Sequence, residues 1–153
     1  MIDKPAKRIR RPYNSVSIPI EFLELDEGSN HVVVMGSVNG HECRMILDTG
    51  ASRTVADLAF VNEVFPEMEM EVNEQPSAGL GTNTMESHFF MAEEIIVGNK
   101  VLQGQLLAAL DLSHVNDTYE MLGLPRIHLV LGSDILRAHK AIIDYGSKQL
   151  ILG

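Results

Sequence analysis

A chain of 153 residues with one cysteine, Cys43, and no tryptophan has few of the usual means of covalent or cofactor chemistry. One thiol cannot close an internal disulfide, which fits a reducing compartment. No apolar run approaches the roughly 20 residues a helix needs to cross a bilayer. No export-signal core stands near the start. No membrane span is expected, and a cytoplasmic location is the default expectation. Basic residues are also scarce, 12 Lys and Arg against 21 Asp and Glu, and five of the twelve (Lys4, Lys7, Arg8, Arg10 and Arg11) crowd the first eleven positions. From Pro12 onward seven basic and twenty acidic residues leave a net charge of −13. So acidic a body argues against nucleic acid as the main partner. The six histidines are scattered, and the nearby His41 and Cys43 lack further partners at metal-site spacing, so no metal or other cofactor is implied. No histidine pattern serves Cys43 as a nucleophile; it and His41 read as neighbours on one face of a strand.

What is present fits one soluble globular domain, with 45% hydrophobic and 22% charged residues. Residues 1–15, basic and carrying Pro5 and Pro12, are expected to be an extended or disordered tail ahead of a domain at 16–153. Val16 to Leu23 alternates as one strand, placed at an edge by Pro19. His31 to Ser37 and Glu42 to Leu47 read as strands joined by a hairpin turn at Asn39-Gly40. Thr54 to Ala56 continues as strand, Asp57 is expected to cap a helix to about Val64, and Glu67 to Val72 alternates strictly as a strand with an acidic wet face. Further strands are expected at Ser87–Val97, Lys100–Leu110, Ile127–Leu131, Ala141–Asp144 and Gln149–Leu152. Short helices are expected from Ser113 and at Ser133–Ala138. The pattern predicts an all-β fold, a closed barrel-like lobe with two or three short helices.

The stretch that organises this scaffold is Met45-Ile46-Leu47-Asp48-Thr49-Gly50-Ala51-Ser52. An apolar strand delivers a carboxylate to the mouth of a turn, Gly50 is expected to give the bend, and Thr49 and Ser52 add small hydroxyls. Asp48-Thr49-Gly50-Ala51-Ser52 resembles the active-site signature of aspartic peptidases, and Val130-Leu131-Gly132-Ser133-Asp134 resembles the family's second element, which lies against the first loop. Each occurs once, in the family's order, in a chain half the size of a two-lobed pepsin. The chain is therefore similar to the single-lobed, retropepsin-like branch. That resemblance implies Asp48 as the catalytic acid; Thr49, Gly50, Ala51 and Ser52 as its supporting loop; and Val130, Leu131 and Gly132 as packing beneath it, while Asp134, placed where the next helix opens, is expected to cap that helix. The resemblance also places Gly79-Leu80-Gly81 where a substrate-covering flap is expected. Ser52 and Ser133 stand where viral members carry an interacting Asp and Arg, a departure shared with cellular and bacterial relatives.

Peptide hydrolysis by carboxylates needs two of them sharing a proton. This chain has one such loop, because Asp144-Tyr145-Gly146 lacks the small hydroxyl residue and reads as a structural turn. A homodimer is therefore the expected partner arrangement, acting on an extended polypeptide substrate. Two further readings stand beside the endopeptidase: a retropepsin-like dimerisation or peptide-binding module with little hydrolytic activity, and a self-processing precursor.

Overall fold

A computed structural model describes residues 10–76 and 84–153. Met1 to Ile9 of the expected tail and the expected flap residues Gly79, Leu80 and Gly81 lie outside these. The elements in order are β1 (Val16–Pro19), β2 (Glu21–Asp26), β3 (Ser29–Val38), β4 (His41–Leu47), β5 (Val55–Asp57), α1 (Leu58–Val64), β6 (Glu71–Pro76), β7 (Thr84–Val97), β8 (Lys100–Leu110), α2 (Ser113–Met121), β9 (Leu129–Leu131), α3 (Ser133–Ala138), β10 (Ile142–Asp144) and β11 (Gln149–Leu152). Among the described residues no helix is long and apolar enough to cross a membrane.

Six strands close a barrel in the order β3-β4-β9-β5-β8-β7, with β7 returning to β3. Closure depends on the length of β7, whose 14 residues pair with β6 at their start and with β3 at Ile95 to Val97. At that seam Gly36 is obligatory. A Cβ there would run into the Ile96 carbonyl oxygen and the Met45 side chain. The β3–β4 hairpin turns at Asn39-Gly40 with φ of 44° and 85°, the positive pair that a two-residue turn matched to strand twist requires. Inside the barrel Met45, Ala56, Phe90, Leu107, Ala109, Leu129 and Leu131 are buried. The helix α2 packs outside, where Tyr119 joins Leu23, Val33, Ile46 and Ile127 in a second cluster.

The expected strand from Val16 to Leu23 is two strands. Apart from the barrel, β1 pairs with β11 as the edge of a small β1-β11-β10 sheet, while β2 pairs with β3. Ile20, whose N–H donates to the Lys148 carbonyl at 3.1 Å, is the crossing point after Pro19. The alternating stretch Glu67 to Val72 becomes strand only at Glu71. Before that a turn, with Met68 N–H on the Phe65 carbonyl at 3.0 Å, lays Met68 and Met70 against the core. Asp57 occupies the N-cap position of α1 without capping it. Its buried carboxylate instead pairs with Arg126 at 3.1 Å and accepts the Leu112 N–H at 3.3 Å, which ties β5 to the α2 region.

Candidate active site

Two parallel strands set the geometry. β4 and β9 run side by side with Leu47 opposite Leu131, so the chain leaves both at the same end of the barrel. Asp48 to Arg53 come directly after β4, and Gly132 and α3 come directly after β9. Parallel pairing thus brings together two segments separated by some eighty positions in the sequence.

Backbone bonds lock them. The Asp48 N–H donates to the Leu131 carbonyl at 3.0 Å, the Ala51 N–H to the Asp48 carbonyl at 3.2 Å and the Ser133 N–H to the Ala51 carbonyl at 2.7 Å. Gly132 has no room for a side chain. A Cβ would stand 2.7 Å from the Arg53 carbonyl carbon and 2.9 Å from the Ala51 oxygen. Val130 and Leu131 supply the strand beneath, with Leu131 wholly buried.

Asp48 is exposed at the rim of this assembly, and its Oδ1 accepts the Gly50 N–H at 2.9 Å. Thr49 and Gly50 form the turn of this loop, without a left-handed backbone conformation at Gly50, whose further contribution is space. A Cβ there would press on the Asp48 carboxylate at 3.2 Å, crowding the group that the Gly50 N–H orients. Thr49 and Ser52 are exposed, and their hydroxyls meet no hydrogen-bond partner among the described residues. The structure thus gathers Asp48 to Ser52 with Val130 to Asp134.

Asp134 does not cap α3. The N-cap position belongs to Gly132, and Asp134 sits in the first turn. Its carboxylate reaches back to Thr54, accepting the Thr54 N–H at 3.0 Å and the hydroxyl at 2.7 Å, while also taking the Ile135 N–H at 2.8 Å. The Thr54 hydroxyl in turn accepts the Gly132 N–H at 3.0 Å. Thr54, fully buried, is the residue that sequence reasoning placed only in a strand. A hydroxyl just after the first loop and an acid just after the second glycine were the available signal.

Two other groups are silent in this chemistry. Burial pushes the Cys43 thiol up to about 12, so it is held as an inert thiol inside the barrel. Asp144 accepts the Ser147 N–H at 3.0 Å in the β10–β11 turn, and this bonding holds its carboxyl below the usual range.

Comparison with known proteins agrees with this architecture. An aspartyl protease family model matches residues 34–135, a span that includes both Asp48-Thr49-Gly50 and Gly132 to Asp134. A retropepsin-like aspartic protease from Rickettsia conorii superposes with a TM-score of 0.54 at 16% identity, over 91% of this chain and 89% of that one. The retroviral protease-like domain of Ddi1 from Leishmania major gives 0.52 at 13% identity, over 78% and 86%. At such identities the two structures speak for the fold, single-lobed and retropepsin-type. No curated protein matches the chain. Two motif segments joined by strand pairing, on a barrel of this kind and within the matched span, place the chain in one family: it belongs to the aspartyl proteases.

Proposed function

We propose that the protein is a homodimeric aspartic endopeptidase, in which a water molecule is activated between the Asp48 carboxylates of two copies. The observation that carries this reading is the exposed Asp48 carboxylate, oriented by the Gly50 N–H at the end of a rigid barrel strand. One such carboxylate is half of the chemistry. Set beside its twofold mate it shares one proton, because like charges at short range cannot both ionise. The ionised member accepts a proton from the attacking water, and the protonated one donates to the peptide carbonyl oxygen.

A twofold axis is the arrangement that lets one loop serve twice. The Thr49 hydroxyls, without partners among the described residues of their own chain, are assigned hydrogen bonds across that axis. The substrate is an extended polypeptide, held by backbone hydrogen bonds as an added strand.

The test compares the purified protein with its Asp48→Asn variant on a diverse peptide mixture from mildly acidic to neutral pH, read by mass spectrometry. Cleavage by the wild type alone is expected. Cleavage that persists in the variant removes Asp48 from the mechanism, and peptide binding without cleavage by either replaces the enzyme with a binding module.

A further inference from the structure

A strip of side chains leads from the acid loop to a cation. Val130 on β9 pairs with Val55 on β5, Val55 with Ala108 on β8, and Ala108 with Phe89 on β7. Paired residues share a face of the sheet. These four therefore line the outside of the barrel, opposite the interior set that includes Leu129, Leu131 and Ala109. The strip begins one residue from Leu131, whose carbonyl holds the Asp48 N–H. At its far end the guanidinium of the exposed Arg53 lies over the Phe89 ring, 5.5 Å from the centroid.

The base of Arg53 is fixed, since Gly132 packs against its carbonyl and its neighbour Thr54 is bonded to Asp134. Its guanidinium makes no salt bridge among the described residues, where Arg44 and Arg126 pair with Glu21, Asp57 and Glu63. Past Phe89 the surface turns acidic. Glu69 and Glu71, with Met91 and Leu106, line a groove of about 540 Å³ there.

We infer, resting on the reading of Asp48 as a peptidase acid, that Arg53 over Phe89 forms a specificity subsite for an acidic side chain, Asp or Glu, of a peptide running from Asp48 along the strip. A planar guanidinium stiffened by a ring offers a carboxylate two parallel charge-assisted bonds. Elsewhere the acidic body repels such a side chain, and Glu69 and Glu71 do so immediately beyond Phe89. Arg53 therefore decides where along the peptide an acid is accepted, and so which bond lies over Asp48.

The test uses extended peptides that differ only in carrying Glu, Gln or Lys at each position in turn. Binding is measured by fluorescence anisotropy on the Asp48→Asn protein, and cleavage on the wild type. At one position Glu should bind about fivefold more tightly than Gln, the upper range for a solvent-exposed ion pair. With Arg53→Lys the preference should persist, with Arg53→Gln vanish, and with Arg53→Glu turn toward Lys, while unfolding midpoints stay unchanged. No Glu preference at any position, absence of binding included, overturns the inference, as does a preference that survives Arg53→Glu. Absence of cleavage by the wild type counts against the peptidase reading alone, because the binding arm does not depend on Asp48.

Discussion

The Asp134 carboxylate receives both the N–H and the hydroxyl of Thr54, at 3.0 and 2.7 Å, and the same hydroxyl receives the Gly132 N–H at 3.0 Å. One threonine thus joins the first loop, the second glycine and the helix behind it. Thr54→Val keeps the shape and removes the hydroxyl, leaving the Gly132 N–H buried without a partner. A loss of about 2 kcal/mol in urea unfolding is expected, the cost of orphaning a buried donor. The Asp48 loop should also loosen, so activity should fall further than the folded fraction does. A variant as stable and as active as the wild type would show the network to be incidental.

Gly132→Ala tests how tightly the two segments meet. The added methyl would meet backbone, the Arg53 carbonyl and the Ala51 oxygen, at 2.7 to 2.9 Å. Backbone locked on both sides has little room to give, so overpacking should cost about 3 kcal/mol. Gly132 has an ordinary φ of −96°, which alanine adopts freely, so the drop in unfolding midpoint reports crowding and not glycine's backbone freedom. A variant as stable as the wild type would contradict the close approach.

His128 carries a pH dependence. The Arg44 N–H donates to its Nδ1 at 2.9 Å, and the ring is half-buried, so burial first and the charge of Arg126 second hold its pKa below the ordinary 6.5. A folded state that resists protonation binds fewer protons than the unfolded chain once the pH drops below 6.5. Stability is therefore complete above that value and is lost as the pH falls through it toward the folded pKa. His128→Gln should flatten this dependence between about pH 7.5 and 5, above the range where carboxylates titrate. Identical slopes for the two proteins would refute it.

Cys43 should be unreactive. With no exposed surface and a thiol pushed up to about 12, it should be labelled by a thiol reagent at pH 8 only as fast as the barrel opens. Labelling at the rate of a free thiol in the folded protein would contradict its place inside the barrel.

Local chemistry made much of the fold legible in the sequence. Asn39-Gly40 announced its hairpin through positive φ, and α3 and β11 begin and end where turn residues and alternation put them. The Asp48 loop was legible because three apolar residues and a glycine bracket one acid. Pairings between distant segments were not. Alternation from Val16 to Leu23 is the same whether the strand serves one sheet or two, and only the partners, β11 and β3, divide it at Ile20. Asp134 at a helix start reads as a cap until the antiparallel β5–β9 pair sets Thr54 beside it to donate to its carboxylate. The stacking of Arg53 on Phe89 depends on the same kind of long-range register.

Subunit mixing tests the shared-acid claim most directly. Wild-type protein is held at a concentration where sedimentation shows dimers, an equal amount of Asp48→Asn is added, and peptide cleavage is followed after exchange. If each active unit needs Asp48 from both copies, random pairing should lower the activity to about half, and excess variant should lower it further. Activity that stays constant as the variant is added would contradict a site shared between two chains.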